Sequence, residues 1–229
     1  MTIKEIIDEV LAQSGFLKRQ SYFSENADVD DQQMTAIANR AMLEIRDHFP
    51  WPALRKSGNI LMDSNFTRYA LPEDLKSIVP MSMYQGSGNR QANFPPTDDE
   101  FYALTMSERG DTGGTITVKK IGNELDVPYP KDGDLVQFQY MSRYAVVDEN
   151  GIGKARFTSD TDEFVLNDQL LVLGIQAHWA QTKLLPQAND FYSNYMAKRR
   201  DEISDSVGTG IAGGVCYSPN LSPYTNLWK

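Results

Sequence analysis

One cysteine, two histidines and no block of basic residues are found in 229 positions. Cys216 has no second thiol to pair with, so a disulfide within the chain is excluded, which fits a reducing compartment. No run approaches the roughly 20 apolar residues that span a bilayer, and the opening MTIKEIIDEVLAQSG reads as an amphipathic helix, not a signal peptide. No membrane partner is expected. Lysine and arginine are interleaved among more numerous acids, for a formal net charge of -9. Gripping a nucleic-acid backbone by counterion release needs the opposite sign, so DNA is not expected to be bound specifically.

Catalytic signatures are missing as well. There is no GxSxG elbow, HExxH or CxxC, Cys216 has no evident base or cation beside it, and His48 and His178 lack partners at metal-ligand spacing. His48 falls at a helix end, where a cation would suit the dipole, and His178 abuts Trp179. Both read as structural, and no metal or cofactor is expected. Gly208, Gly210 and Gly213 form a formal GxGxxG. They follow a helix instead of a strand, with no acid downstream, so they read with Gly214 as a hinge. The GIGKAR at Gly151 lacks the spacer and hydroxyl of a phosphate loop and reads as a turn.

What is present is clear local punctuation. Thr2 and Glu5 make a capping box for a first helix striped by Ile3, Ile6, Ile7, Val10 and Leu11 and ended by Gly15. A second helix is expected from about Asp28 to Phe49, with Met34, Ile37, Ala38, Ala41 and Ile45 at helical spacing and Pro50 and Pro52 as the stop. From Gly58 to about Arg143 short β-branched runs predict strands, with Gly122-Asn123 as a two-residue hairpin loop. Thr97 and Glu100 open one interrupting helix, which carries Phe101, Tyr102 and Leu104. The longest apolar segment, about Asp162 to Leu185, predicts a helix apolar on two sides: Leu166, Leu170, Leu173, Ala177, Ala180 and Leu184 share one face, Phe164, Leu171, Ile175 and Trp179 an adjoining one. A more polar helix follows from about Asp190 to Ser206.

Two apolar helices at each end of the chain need partners and find them in one another. The expected fold is therefore α+β: a helical bundle from residues 1–56 and 144–206, an inserted, mainly antiparallel β domain from 57–143, and an extended C-terminal arm from 207–229. Acids such as Asp98, Asp99 and Glu100, or Asp160 and Asp162, are the only material for a carboxylate-dependent hydrolase acting on glycan, and acids at helix starts ordinarily serve capping. Trp51, between two prolines, reads either as an exposed recognition residue or, with Leu54, as a plug between bundle and sheet.

The arm holds Val215, Tyr217, Leu221, Tyr224, Leu227 and Trp228, and its only charged side chain is Lys229. Disordered linkers are ordinarily charged and poor in aromatics, whereas this segment is the reverse. Pro219 and Pro223 hold themselves and their neighbours extended, which lowers the entropy lost on docking. These six residues are expected to bind a partner, with Gly208, Gly210, Gly213 and Gly214 as the tether.

The second helix running into FPWPALRKSGNILM, and YALPEDLKSIV with Tyr69, Leu71, Pro72 and Asp74 in an aromatic-x-Leu-Pro-x-Asp turn, resemble the head-to-tail connector (adaptor) proteins of tailed bacteriophages, the class that includes tail tubular protein A. The resemblance covers most of residues 1–206. It implies a structural protein of the virion neck, assembled in the host cytoplasm and without enzyme activity. It also implies a homo-oligomeric ring, typically of twelve copies, below the capsid portal, with the arm in the portal protein and the β domain toward a tail or nozzle protein. An acidic wall would let double-stranded DNA pass without holding it. Another neck or tail-completion protein of the same particle is the alternative.

Overall fold

In the computed structural model, residues 1–24, 27–86, 90–95, 97–107 and 116–208 are described. They form an α+β fold that divides into two compact units, one from residues 1–52, 157–161 and 167 onward, the other from 53–156 and 162–166.

The first unit contains α1 (Ile3–Gln13), α2 (Val29–His48), α4 (Asp168–Thr182) and α5 (Ala188–Gly208). The starts of α1 and α2 follow the sequence signals closely. Thr2 and Glu5 satisfy one another's backbone donors at 3.3 and 2.9 Å, and the Asp28 side chain accepts from the Asp31 N–H at 2.9 Å. Helix α4 packs against α1, α2 and α5, and its buried positions run around its circumference from Leu170 to Ala180. That is the expected consequence of a helix apolar on two sides.

The expected span of α4 was too long at both ends. Phe164 belongs to a strand, and the Val165 N–H donates to the Ala145 carbonyl. The helix starts only where Asn167 caps the Leu170 N–H at 3.1 Å, because the backbone groups before it are already paired in a sheet. At the other end the Leu184 and Leu185 N–H groups return to the Gln181 and Ala180 carbonyls, the two bonds of a Schellman motif. Leu184 occupies the left-handed position of that motif, at φ 53°, and is 88% exposed. Because L-residues are strained there and glycine is not, Leu184→Gly should raise stability by about 0.5 to 1 kcal/mol. Denaturant titration of the two proteins checks this.

The second unit carries α3 (Asp98–Ser107) and the strands. These are β1 (Arg55–Leu61), β2 (Arg68–Ala70), β3 (Leu75–Ile78), β4 (Tyr84–Gln85), β5 (Arg90–Asn93), β6 (Ile116–Thr117), β7 (Lys119–Ile121), β8 (Glu124–Asp126), β9 (Leu135–Ser142), β10 (Val146–Val147), β11 (Gly153–Lys154) and β12 (Glu163–Phe164). The main sheet is organised on β9, which pairs with β1 along one edge and with β3 and β4 on the other, continuing through β5 to β6. Only the β5–β6 pairing is parallel among the described strands. A second sheet, β2-β8-β7, includes the expected hairpin, with Ile121 opposite Glu124 and Gly122 at φ 61°. Along β9, Val136, Phe138 and Tyr140 point to one core with Ile60, Leu71, Leu75, Leu125 and Val127. The period-two alternation of that strand is what builds this core.

The boundaries of the units differ from those expected from sequence. Residues 146–147, 153–154 and 163–164 pair as a third small sheet, β11-β10-β12, and so lie with the strands. Phe157–Thr161 lies with the helices, tied by the Asn39 side chain to the Phe157 backbone and by Asp160 to Lys4 and Tyr22.

Candidate interaction groove and buried polar clusters

The residues nominated for partner binding, Val215, Tyr217, Leu221, Tyr224, Leu227 and Trp228, lie outside the described residues, as do Gly210, Gly213 and Gly214. Of the nominated hinge only Gly208 is described, as the last residue of α5.

Within the helical unit a groove of about 450 Å³ opens where the chain leaves α1 and where α4 ends. Its apolar lining comes from Leu11, Phe16, Leu17, Met34 and Trp179. Leu11, Met34 and Trp179 are buried, whereas Phe16 is half-exposed and Leu17 is 87% exposed. Phe16 meets the Trp179 ring edge-on, with centroids 6.1 Å apart, and the Lys183 ammonium sits 4.6 Å from the Trp179 centroid. The rim is charged. Lys183 pairs with Asp30 at 2.9 Å, and Arg19 with Asp28 at 3.1 Å and Asp31 at 3.5 Å. Burial, and then the neighbouring Asp28 carboxylate, raise the pKa of Asp31 above its ordinary value in spite of Arg19. The arrangement offers an apolar trough whose charged rim balances Asp30 and Asp31 against Lys183 and Arg19.

A second constellation, which sequence reasoning missed, joins α2, α4 and α5. Glu44 takes the His178 ring nitrogen Nε2 on one oxygen at 2.9 Å, and on the other accepts from Arg199 at 3.0 Å and Tyr195 at 3.2 Å. Burial, reinforced by Glu44, pushes the Tyr195 hydroxyl up to about 12. The reading of His178 as structural stands on this geometry, but Glu44 and Arg199 had no signal in the sequence beyond lying on helical faces. At His48, at the end of α2, burial and then the Arg199 cation lower the pKa from its ordinary value, which works against the charge that would suit the helix dipole there.

The YALPED turn gives a third cluster, in the other unit. The Tyr69 hydroxyl has the Asp63 and Phe66 carbonyls each at 2.7 Å as acceptors for its single hydrogen, and Leu71 is buried with its N–H on the Asn123 carbonyl. Asp74 accepts from Lys56 at 2.8 Å and from Tyr140 and Ser142 at 2.9 Å each. Burial of the carboxylate works to raise its pKa, but these three bonds outweigh it and hold the group below its ordinary range.

Of the remaining nominated acids, Asp98, Asp160 and Asp162 have structural partners. Thr97 caps the Glu100 N–H at 3.2 Å, Asp98 pairs with Lys119, and Asp99 and Glu100 are exposed. Asp160 accepts from Ser21 and from the Tyr22 N–H, and the buried Asp162 accepts from Lys154 at 2.7 Å. Trp51 is buried, its indole N–H donating to the Ile45 carbonyl at 2.7 Å while Phe49 packs edge-on at 5.2 Å. It is a fixture of the end of α2 and not an exposed recognition residue. No group of three or more histidine, cysteine or acidic side chains able to hold a metal ion occurs among the described residues. No helix there is long and apolar enough to cross a membrane. The chain matches no protein-family model and none of the curated proteins with which it was compared.

Proposed function

We propose that this chain is a non-enzymatic structural protein of a bacteriophage neck, a ring-forming connector that docks on the portal protein through residues 215–228. The observation that carries this reading is the order of parts. A bundle closed by helices from both ends of the chain has a β-rich unit inserted into it, and an apolar, aromatic segment follows directly on α5. The YALPED turn that carries the family resemblance is built as a rigid brace around Asp74, in keeping with a scaffold role. In this reading the ring holds about twelve copies, the β-rich unit meets a tail or nozzle protein, and the acidic surface allows double-stranded DNA to pass. The arm contributes contact area, and its affinity is multiplied by the number of copies engaged at once.

Deleting Cys216–Lys229 tests the docking role. The shortened protein should stay folded by circular dichroism and lose capture by portal in a pull-down. Changing Tyr224 and Trp228 together to alanine should weaken capture more than either change alone. Capture unaffected by the deletion would overturn the reading.

A further inference from the structure

We propose that the free edge of β1 (Arg55–Leu61) is a pairing surface for the same strand of a second copy, joining two β-rich units antiparallel about a two-fold axis at Gly58. The proposal goes beyond the connector role and does not rest on it.

The register of the sheet shows which backbone groups are available. β1 pairs with β9 along all seven of its residues without a bulge, and it is the end strand of the main sheet. Beyond Leu61 the Met62 N–H continues the ladder onto the Asp134 carbonyl, and on the far side of β9 the Gln139 and Leu135 carbonyls accept from Val79 and Gly86. In an antiparallel ladder the backbone bonds of successive residues alternate between the two edges of a strand. Even-numbered residues of β1 therefore bond to β9, and the N–H and C=O groups of Arg55, Ser57, Asn59 and Leu61 point away from it. These four residues are exposed, and no backbone bond is made on that side among the described residues. Unpaired backbone groups persist where water reaches them, so the edge is open.

The other edges are blunted. β2, β6, β7, β11 and β12 are two or three residues long, and β3 meets β9 through an irregular register. Short or irregular edges resist the addition of a strand. β1 has no proline, and its only charges, Arg55 and Lys56, lie together at one end.

An open edge accepts an extended segment, and a second β1 matches this one in length and in side chains. Because the outward groups belong to odd-numbered residues, odd must face odd, and the register centred on Gly58 uses all four. It sets Arg55 opposite the second copy's Leu61, and Ser57 opposite the second copy's Asn59. The two Arg55 residues end about 20 Å apart at 3.3 Å per residue, so like charges do not oppose one another. The aliphatic stem of Arg55 would cover Leu61, which is otherwise 68% exposed. Two strand edges bury less than the roughly 1,200 Å² of a durable interface, so the pair forms only at high concentration. The contact is isologous, whereas a closed ring needs a head-to-tail one, and the pair is thus a state of the free subunit.

Amide exchange of the full-length protein, resolved by NMR at roughly 50 µM and roughly 1 mM, tests this. The Ser57, Asn59 and Leu61 amides should exchange roughly threefold more slowly at the higher concentration, while those of Gly58 and Ile60, bonded to β9, are protected equally at both. Ser57→Pro and Asn59→Pro each remove an outward N–H and leave the β1–β9 bonds intact, so each should keep the fold and abolish the concentration dependence at the remaining odd-numbered amides. Two positions are used so that a variant lost to misfolding leaves the other to decide. Free exchange of the odd-numbered amides at both concentrations overturns the proposal, and leaves the edge to a strand of another protein. Equally slow exchange at both does so too, by showing the edge covered within its own chain. Slowing that survives both proline variants belongs to a different contact and also overturns it.

Discussion

Replacing Asp74 with alanine is expected to destabilise the β-rich unit by about 3 kcal/mol. The carboxylate is a shared acceptor at the point where β1, β3 and β9 come together, taking bonds from Lys56, Tyr140 and Ser142. Lys56 is half-exposed, and its pairing contributes little in water. The larger loss comes from the hydroxyls of Tyr140 and Ser142, both on buried residues, each of which would be left without its acceptor at about 1 to 3 kcal/mol. The Tyr140 hydroxyl is itself pushed up to about 12, by burial first and then by Asp74, so it stays protonated and keeps donating.

The effect of Asp74 should depend on pH in one direction. Its folded-state pKa lies below the ordinary value of 3.8, so the group binds protons less readily folded than unfolded. The stability it contributes is complete above the unfolded-state value and is lost as pH falls through the folded one. Urea titrations of the unaltered protein and of Asp74→Asn should therefore differ most near pH 7, begin to approach one another only as pH falls past the unfolded-state value, and converge below the folded-state one. A difference that persists undiminished at pH 3 would mean that the charge is not what the cluster uses.

Gly58→Ala should cost about 2 kcal/mol, although alanine is normally the better residue inside a strand. Gly58 lies directly opposite Phe138 in the β1–β9 pairing, and the phenyl ring covers its Cα. A Cβ built there would fall 2.5 Å from Cζ of that ring. The ring has little room to give way, because Phe138 is buried in the core with Tyr140 packed beside it at a centroid separation of 6.0 Å. Overpacking of this kind displaces the side chain or separates the strands. Shortening the ring with Phe138→Leu should recover part of the loss, so the double variant should be more stable than the sum of the two single changes. Strict additivity of the two changes would show that the contact does not set the cost.

Elements whose determinants are close together in the chain were legible from the residues alone. Thr2 and Glu5, Asp28, and Thr97 each satisfy backbone donors within three residues, so helix starts could be located without a partner. The Gly122-Asn123 loop likewise needs only its own backbone geometry to bring β7 and β8 into register. The α+β class followed from the order of these segments and their apolar stripes. The residues named for partner binding were chosen by composition, and they lie outside the described part of the molecule.

What the residues in order could not disclose were events between distant positions. Phe164 has the spacing of a helical residue, yet it pairs with Val146, because strand donors 18 residues away take its backbone before a helix can start. Glu44 meets His178 and Arg199 across 134 and 155 residues, and the wall and floor of the groove come from α1, α2 and α4 together. The sequence by itself determined where α1, α2 and α3 begin, where the chain reverses at Gly122-Asn123 and which faces are apolar, since those depend on neighbours a turn or two apart. Only the tertiary structure decided which apolar faces close on one another and which remain open, because that follows from how side-chain volumes and unpaired backbone groups from remote segments fit around α4 and β9.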